Sequence, residues 1–197
     1  MVRENRLRNV LLAFAFVAGA AAVPACHSSS AAPVSTTDPE KPYYRNPAAD
    51  LTATPTVKFH FVSVTTNNNN GVDLVRSTFT DRLKQHLRGP FTTVTEGESA
   101  AAGEVVLDVE VAMNWGSRAG RYFSIGMGGR ATITMKYRLK DGAGALLAKM
   151  DATDSMSGAG WSGGGAGGDS QQLVFNAADK WSSYFAKTIL PKPAPAK

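Results

Sequence analysis

Glu104-Val105-Val106-Leu107-Asp108-Val109-Glu110-Val111-Ala112-Met113-Asn114-Trp115 puts Val105, Leu107, Val109, Val111, Met113 and Trp115 on one side of an extended chain. Asp108, Glu110 and Asn114 fall on the other side. A period of two with one apolar side marks a strand that buries a single face. Ala131, Ile133, Met135, Tyr137 and Leu139 repeat the pattern against Thr132, Thr134, Lys136, Arg138 and Lys140. Asp141-Gly142-Ala143-Gly144 then turns the chain into Leu146, Ala148, Met150 and Ala152. Asp-Gly between two alternating runs is a strong hairpin signal, so three consecutive antiparallel strands are expected.

Upstream, Val57 to Val64 is rich in β-branched and aromatic residues and reads as a first strand. Asn67 to Asn70 supplies turn and N-cap chemistry, and Val72, Val75, Phe79, Leu83 and Leu87 follow at spacings of three and four, one face of a helix. Asp73 suits the positive first turn of that helix and Lys84 and Arg88 its last, and Gly89-Pro90 ends it. A short strand is expected near Phe91 to Thr95. Downstream, a Gly-rich loop runs into Asp169-Ser170-Gln171-Gln172, a start resembling a capping box with aspartate as cap. The closing helix carries Val174, Ala178, Trp181, Phe185 and Ile189 on one stripe. The order predicts an α+β two-layer sandwich, a mixed and mainly antiparallel sheet with two helices on one face.

The first 25 residues read as a secretory signal peptide: Arg3, Arg6 and Arg8 precede an apolar run from Val10 to Val23. Fourteen apolar residues are short of the ~20 that cross a bilayer as a helix. Val23-Pro24-Ala25-Cys26 resembles the bacterial lipobox, whose cysteine is lipidated and becomes the first residue of the mature chain. An unlipidated, unpaired thiol in an oxidising compartment would be reactive, whereas acyl chains at about 0.8 kcal/mol per buried CH₂ would hold the protein on a membrane. An ordinary cleavage after Ala25 is the alternative. His27 stands where an aspartate would signal inner-membrane retention in the sorting pattern this region resembles, so the expected location is the periplasmic side of the outer membrane.

Residues 26–55 are Ser-, Ala- and Pro-rich, with prolines at 33, 39, 42, 47 and 55, and are expected to form a tether. Fully extended, it would reach about 90 Å at ~3.1 Å per residue. Tyr43-Tyr44-Arg45 interrupts it as a strand, a linker anchor or a docking element. Residues 56–190 form the expected globular domain, and the prolines of 191–197 forbid helix in a short tail.

One cysteine excludes an internal disulfide, and three scattered histidines, His27, His60 and His86, offer no zinc-type cluster. The formal charge of +5 includes +2 from the first 25 residues; the remaining +3 does not argue for nucleic acid. Gly158 to Gly168 leads into a helix, but a phosphate loop needs a lysine and a hydroxyl after its last glycine, and Asp169 puts a carboxylate where the anion would sit. Gly126-Met127-Gly128-Gly129-Arg130 enters a strand, so it lacks the helix dipole of a dinucleotide site. Asp108, Glu110, Asp151 and Asp154 are explained by cross-strand pairing with Lys136, Arg138 and Lys149. Ser155, Ser157 and Ser162 lack a nucleophile elbow, and His60 and His86 have no marked partner. No catalytic residue, metal site or cofactor is expected. The contact residues expected are Trp161 in the Gly-rich loop and Arg118, Arg121 and Arg130 in the other long connection.

Gly120-Arg121, then Gly126 to Arg130 leading into an alternating strand, Asp141-Gly142-Ala143-Gly144-Ala145-Leu146, a Ser-rich strand, a Gly-rich loop and an Ala-Ala helix together resemble an uncharacterised family of bacterial envelope lipoproteins. The resemblance covers residues 56 to 190. That family is similar in turn to the small domains of curli-secretion lipoproteins, the N-terminal domain of the Tol translocation protein, and lipoprotein activators of penicillin-binding proteins. The resemblance implies an anchored, non-catalytic accessory domain that binds another envelope protein or assembly. A small-ligand or glycan-binding module using the same aromatics is the second expectation, and a hydrolase the third.

Overall fold

The alternating run forms a central strand of the sheet. The computed structural model describes residues 32–52, 54–67, 71–116, 131–156 and 168–191. In chain order these form β1 (Tyr43–Arg45), β2 (Thr56–Thr66), α1 (Val72–Leu87), β3 (Thr93–Glu96), β4 (Glu104–Asn114), β5 (Ala131–Asp141), β6 (Leu146–Met156) and α2 (Gly168–Tyr184). A π-helical turn, Phe185–Ile189, continues α2. The sheet order is β1-β6-β5-β4-β2-β3. β2 runs parallel to β3 and β4, and the remaining neighbours are antiparallel.

Both helices cover one face. Val75, Phe79, Leu83 and Leu87 of α1 and Val174, Ala178 and Trp181 of α2 are buried against Val57, Phe59, Leu107, Val109, Met135 and Tyr137 of the sheet. The expected stripe of the closing helix extends as read, since Phe185 and Ile189 are also fully buried. Leu190 donates its N–H to the Phe185 carbonyl at 3.0 Å, five residues back, and the widened turn also brings Leu190 to the core.

Three local expectations shift. The N-cap of α1 is Gly71, without a side-chain cap, rather than an asparagine of 67–70. Asn67 instead ties two strand ends together: its Nδ2 donates to Asn114 Oδ1 at 2.8 Å and its Oδ1 accepts the Trp115 N–H at 2.9 Å. Gly71 is needed here because a Cβ would lie 2.7 Å from the Trp115 ring, closer than carbon atoms approach. Trp115 itself lies past the end of β4, partly buried. Finally, β2 carries a bulge between Phe61 and Ser63, which leaves Val62 outside the register and 54% exposed.

The hairpin expected at Asp141 forms as read. Asp141 Oδ1 accepts the N–H groups of Ala143 and Ala145, at 2.9 and 2.8 Å, and Gly144 takes φ +85°, which favours glycine.

The largest departure is the stretch read as tether. From Ala32 onward it is folded onto the domain. Tyr43–Arg45 pairs with Met150, Lys149 and Ala148 of β6, and Ser35 bridges to Tyr44. Asp151 donates its N–H to the Pro42 carbonyl at 2.7 Å, and Lys149 Nζ reaches the carbonyls of Pro39 and Glu40 at 3.2 and 3.3 Å. Tyr43 and Arg45 are both buried, 5% and 2% exposed. A segment with two buried anchors needs no hydrophobic period of its own, because β6 and α2 supply the surface it lies on. Proline is tolerated beside an edge strand, where no ladder donor is missing.

Candidate functional site

Trp161, Arg118, Arg121 and Arg130 lie outside the described residues, as does Cys26. The ends of the segments that carry the first four are described. Asn114 pairs with Thr132, and Ala131 pairs with Met156. Gly116, Ala131 and Met156 therefore stand at the same end of the sheet. α2 starts there too: the π turn that continues it is capped by Leu190, whose carbonyl accepts from Arg45 beside Ala148, while Trp181, nine residues earlier, meets Asp154 farther along β6. α1 also starts at this end, where Gly71 meets Trp115. The connections holding the three arginines and Trp161 thus leave from one end of the domain. Both helices point their N-termini, with their partial positive charge, the same way.

The face of the sheet away from the helices is laced with ion pairs. Lys58 meets Glu104 at 2.6 Å, Lys136 meets Glu110 at 3.3 Å, Arg138 meets Asp151 at 2.6 Å and Lys149 meets Asp151 at 3.6 Å. Asp108 is shared between Lys140, at 2.7 Å, and His60, whose Nδ1 lies 3.2 Å away without hydrogen-bond alignment. The cross-strand pairing expected for Asp108, Glu110 and Asp151 is what forms, with Lys140 and Lys58 joining it. Lys58 and the Ala101 N–H, in that order, hold the Glu104 carboxyl below its usual range. Partly exposed pairs of this kind add little stability each. Their effect is to occupy the carboxylates.

Asp154 departs from the expectation. It sits on the helix side of β6 with 8% exposure, accepts the Trp181 Nε1–H at 2.9 Å, and has Lys180 at 3.4 Å. His86, read as lacking a partner, has one: its Nε2 lies 3.0 Å from Asp179 Oδ1 across the helix pair, with Arg82 3.4 Å from the same oxygen, whereas His60 has the Asp108 carboxylate close by but unaligned. Arg82 also lies over the Phe175 ring, 4.1 Å from its centroid. Spacing along one element cannot disclose partners that belong to another element nearly a hundred residues away.

Sequence reading also missed the most heavily bonded side chain among the described residues, Arg45. Its Nε donates to the Leu190 carbonyl at 3.2 Å, Nη1 to Asn46 at 2.7 Å and Leu147 at 3.3 Å, and Nη2 to Ala49 at 2.8 Å. Burial pushes the pKa of the guanidinium down, opposed by the Asp50 carboxylate. Four carbonyls from three segments replace its water. An open cleft of about 160 Å³ is lined by Arg45 at the end of the domain opposite the long connections, and a second of about 260 Å³ lies beside it. They share the Ala49-Asp50-Leu51 turn, and Pro90, Leu190, Glu104 and Asp141 complete their walls. Among the described residues no group of three or more His, Cys, Asp or Glu is placed to hold a metal ion, and no helix is long and apolar enough to cross a membrane.

Tyr137 is fully buried and shares a 3.1 Å hydrogen bond with Ser182, which joins β5 to α2. Burial pushes its hydroxyl far above the ordinary 10.0, outweighing the opposite pull of Ser182. Burial raises Tyr43 and Tyr184 as well. In the unfolded chain Tyr137 ionises as pH passes 10.0, while in the fold it stays neutral. Its contribution is therefore intact below that pH and lost progressively above it, at about 1.4 kcal/mol per pH unit while it is held neutral. Denaturant unfolding at increasing alkaline pH should show this slope, and Tyr137→Phe should flatten it. An unchanged slope in the variant would remove Tyr137 from the account.

No family model matches the chain, and neither does any curated protein. Similar solved structures include a PelC dodecamer from Paraburkholderia phytofirmans, 16% identical, covering 64% of this chain and 88% of that chain, with a TM-score of 0.37. An uncharacterised protein is 15% identical, covers 68% of this chain and 89% of that chain, and has a TM-score of 0.41. At these identities and scores neither likeness bears on function.

Proposed function

We propose that the chain is a lipoprotein, anchored through Cys26 to the periplasmic side of the outer membrane, whose domain is a non-catalytic binding module for another cell-envelope protein or assembly. The observation that carries the binding part is the convergence of chain ends described above: Gly116, Ala131, Met156 and Gly168 bracket the segments that hold Arg118, Arg121, Arg130 and Trp161, and all four stand at one end of the domain. A shared origin lets cationic and aromatic residues from two connections act on one partner surface. Three arginines favour an acidic surface on that partner. The anchor is supported by Val23-Pro24-Ala25-Cys26 and the apolar run before it.

The test is cross-linked capture of the tagged full-length protein from its own envelope, beside Cys26→Ala and Trp161→Ala forms. The expected result is one envelope protein enriched with the acylated form, depleted with Cys26→Ala, and reduced at least about fivefold by Trp161→Ala, a loss on the scale of a modest interface contact. The melting temperature of Trp161→Ala should be unchanged. A lower melting temperature would make Trp161 a core residue, and the absence of a stoichiometric partner with any form would overturn the binding role.

A further inference from the structure

We infer that the domain rests against the bilayer with its β1 edge and the last turn of α2 facing the lipid, and with its β3 edge facing away. The inference rests on the anchoring at Cys26 proposed above and adds to it an orientation and a partner surface, the lipid itself.

It follows from where the docked chain begins. Residues 26–55 read as a tether, but Ala32 already lies against the domain, its carbonyl 3.5 Å from the Tyr184 hydroxyl. Ser35 follows, giving its N–H to the Tyr43 carbonyl at 2.8 Å and accepting the Arg45 N–H at 2.9 Å. Tyr43 and Arg45 then hold the strap from below. The Tyr43 ring stacks 6.3 Å from Trp181 and meets Tyr184 edge-on at 5.7 Å, and Arg45 makes its four carbonyl bonds. The covalent path from Cys26 to Ala32 is six residues, at most about 21 Å even when fully extended.

That length is short against the body it restrains. A domain of this size measures about 40 Å across, and the five strand spacings from β1 to β3 add up to about 24 Å. A link of at most about 21 Å cannot pass around the domain, so the β3 edge is kept off the membrane and the side that receives the link is held toward it. Charge does not decide the matter, because Lys41 and Lys187 are exposed on this side beside Asp38 and Glu40. The covalent restraint does. The end carrying the long connections lies to the side, parallel to the bilayer, within reach of partners that are themselves in or on the membrane.

Lys41 and Thr93 are both exposed, one at the β1 edge and the other in β3. With Cys26 acylated, Lys41→Cys and Thr93→Cys each carry one free thiol for a fluorescent donor. The acylated full-length protein is reconstituted into phosphatidylethanolamine–phosphatidylglycerol vesicles containing an acceptor lipid. Transfer is expected to be at least about twofold higher from position 41 than from position 93, as the ~24 Å between the sheet edges requires. A third form carries a Gly/Ser insertion of about 20 residues after His27, which adds slack of several tens of ångströms without touching the domain; it should lose most of the difference. Equal transfer from both positions in the form without the insertion, or a difference that the insertion leaves intact, would overturn the orientation. Failure of the acylated protein to float with the vesicles would instead overturn the anchoring, and the orientation with it.

Discussion

Arg45→Ala will lower the stability of the domain by about 3–5 kcal/mol, as expected for losing two buried hydrogen bonds from a charged donor at about 1.5–3 kcal/mol each. The side chain is 2% exposed and its guanidinium serves the carbonyls of Leu190, Asn46, Leu147 and Ala49. Alanine takes a donor from each of these carbonyls, of which Leu147 and Asn46 keep the N–H groups of Asn46 and Ala49, and opens a void between the strap, the end of β5–β6 and the end of the π turn. For a domain of this length the melting temperature should fall by roughly 10 °C. Arg45→Lys should recover only part of the loss, because a single ammonium cannot span four acceptors arranged for a planar fork. Limited proteolysis of the Arg45→Ala protein should cut first in residues 32–42, which this clip holds down. A change below about 0.5 kcal/mol, typical of surface substitutions, would show that the strap is held by its other contacts.

Trp181 carries the second large effect. It is fully buried, stacks on Tyr43, meets Tyr184 edge-on and donates to Asp154 at 2.9 Å. Trp181→Ala should cost about 3–5 kcal/mol, the range for truncating a large aromatic side chain in a core. Trp181→Phe separates packing from bonding: it keeps most of the volume but leaves Asp154 with Lys180 alone, for a loss of about 1–3 kcal/mol. Combining it with Asp154→Asn should be less damaging than the sum of the two single changes, since the indole donor and carboxylate acceptor are one interaction. Additive effects in denaturant unfolding would deny the coupling. The contrast with Trp161→Ala, expected to leave stability unchanged, distinguishes a tryptophan that builds the domain from one proposed to serve its surface.

The elements that were readable from sequence are those whose pattern is local. β5 alternates apolar and polar residues throughout, β4 does so apart from Val106 and Ala112, and each buries the face that the alternation marks. Val75, Phe79, Leu83 and Leu87 repeat every four residues, and all four are buried. Asp141 and Gly144 have turn chemistry contained in five residues. The bulge at Phe61–Ser63 was not readable, because Val62 is as apolar as Phe61 and Val64 on either side and only the register against β4 singles it out. The cap of α1 was misread for a similar reason: four asparagines offer cap chemistry, yet Trp115 occupies the space that forces a glycine.

The candidate site was readable by composition and not by geometry. Arginines and a tryptophan in two glycine-rich connections can be picked out in the chain, but their common origin follows only from the pairing of Asn114 with Thr132 and Ala131 with Met156. Periodicity, turn residues and helix-end charges determine the layers, because each acts over a few neighbouring residues. The docked strap, the Arg45 clip and the Asp154–Trp181 bond were decided in tertiary structure. They join residues 27 to 145 positions apart, and a segment that borrows its hydrophobic partner from elsewhere need show no pattern of its own.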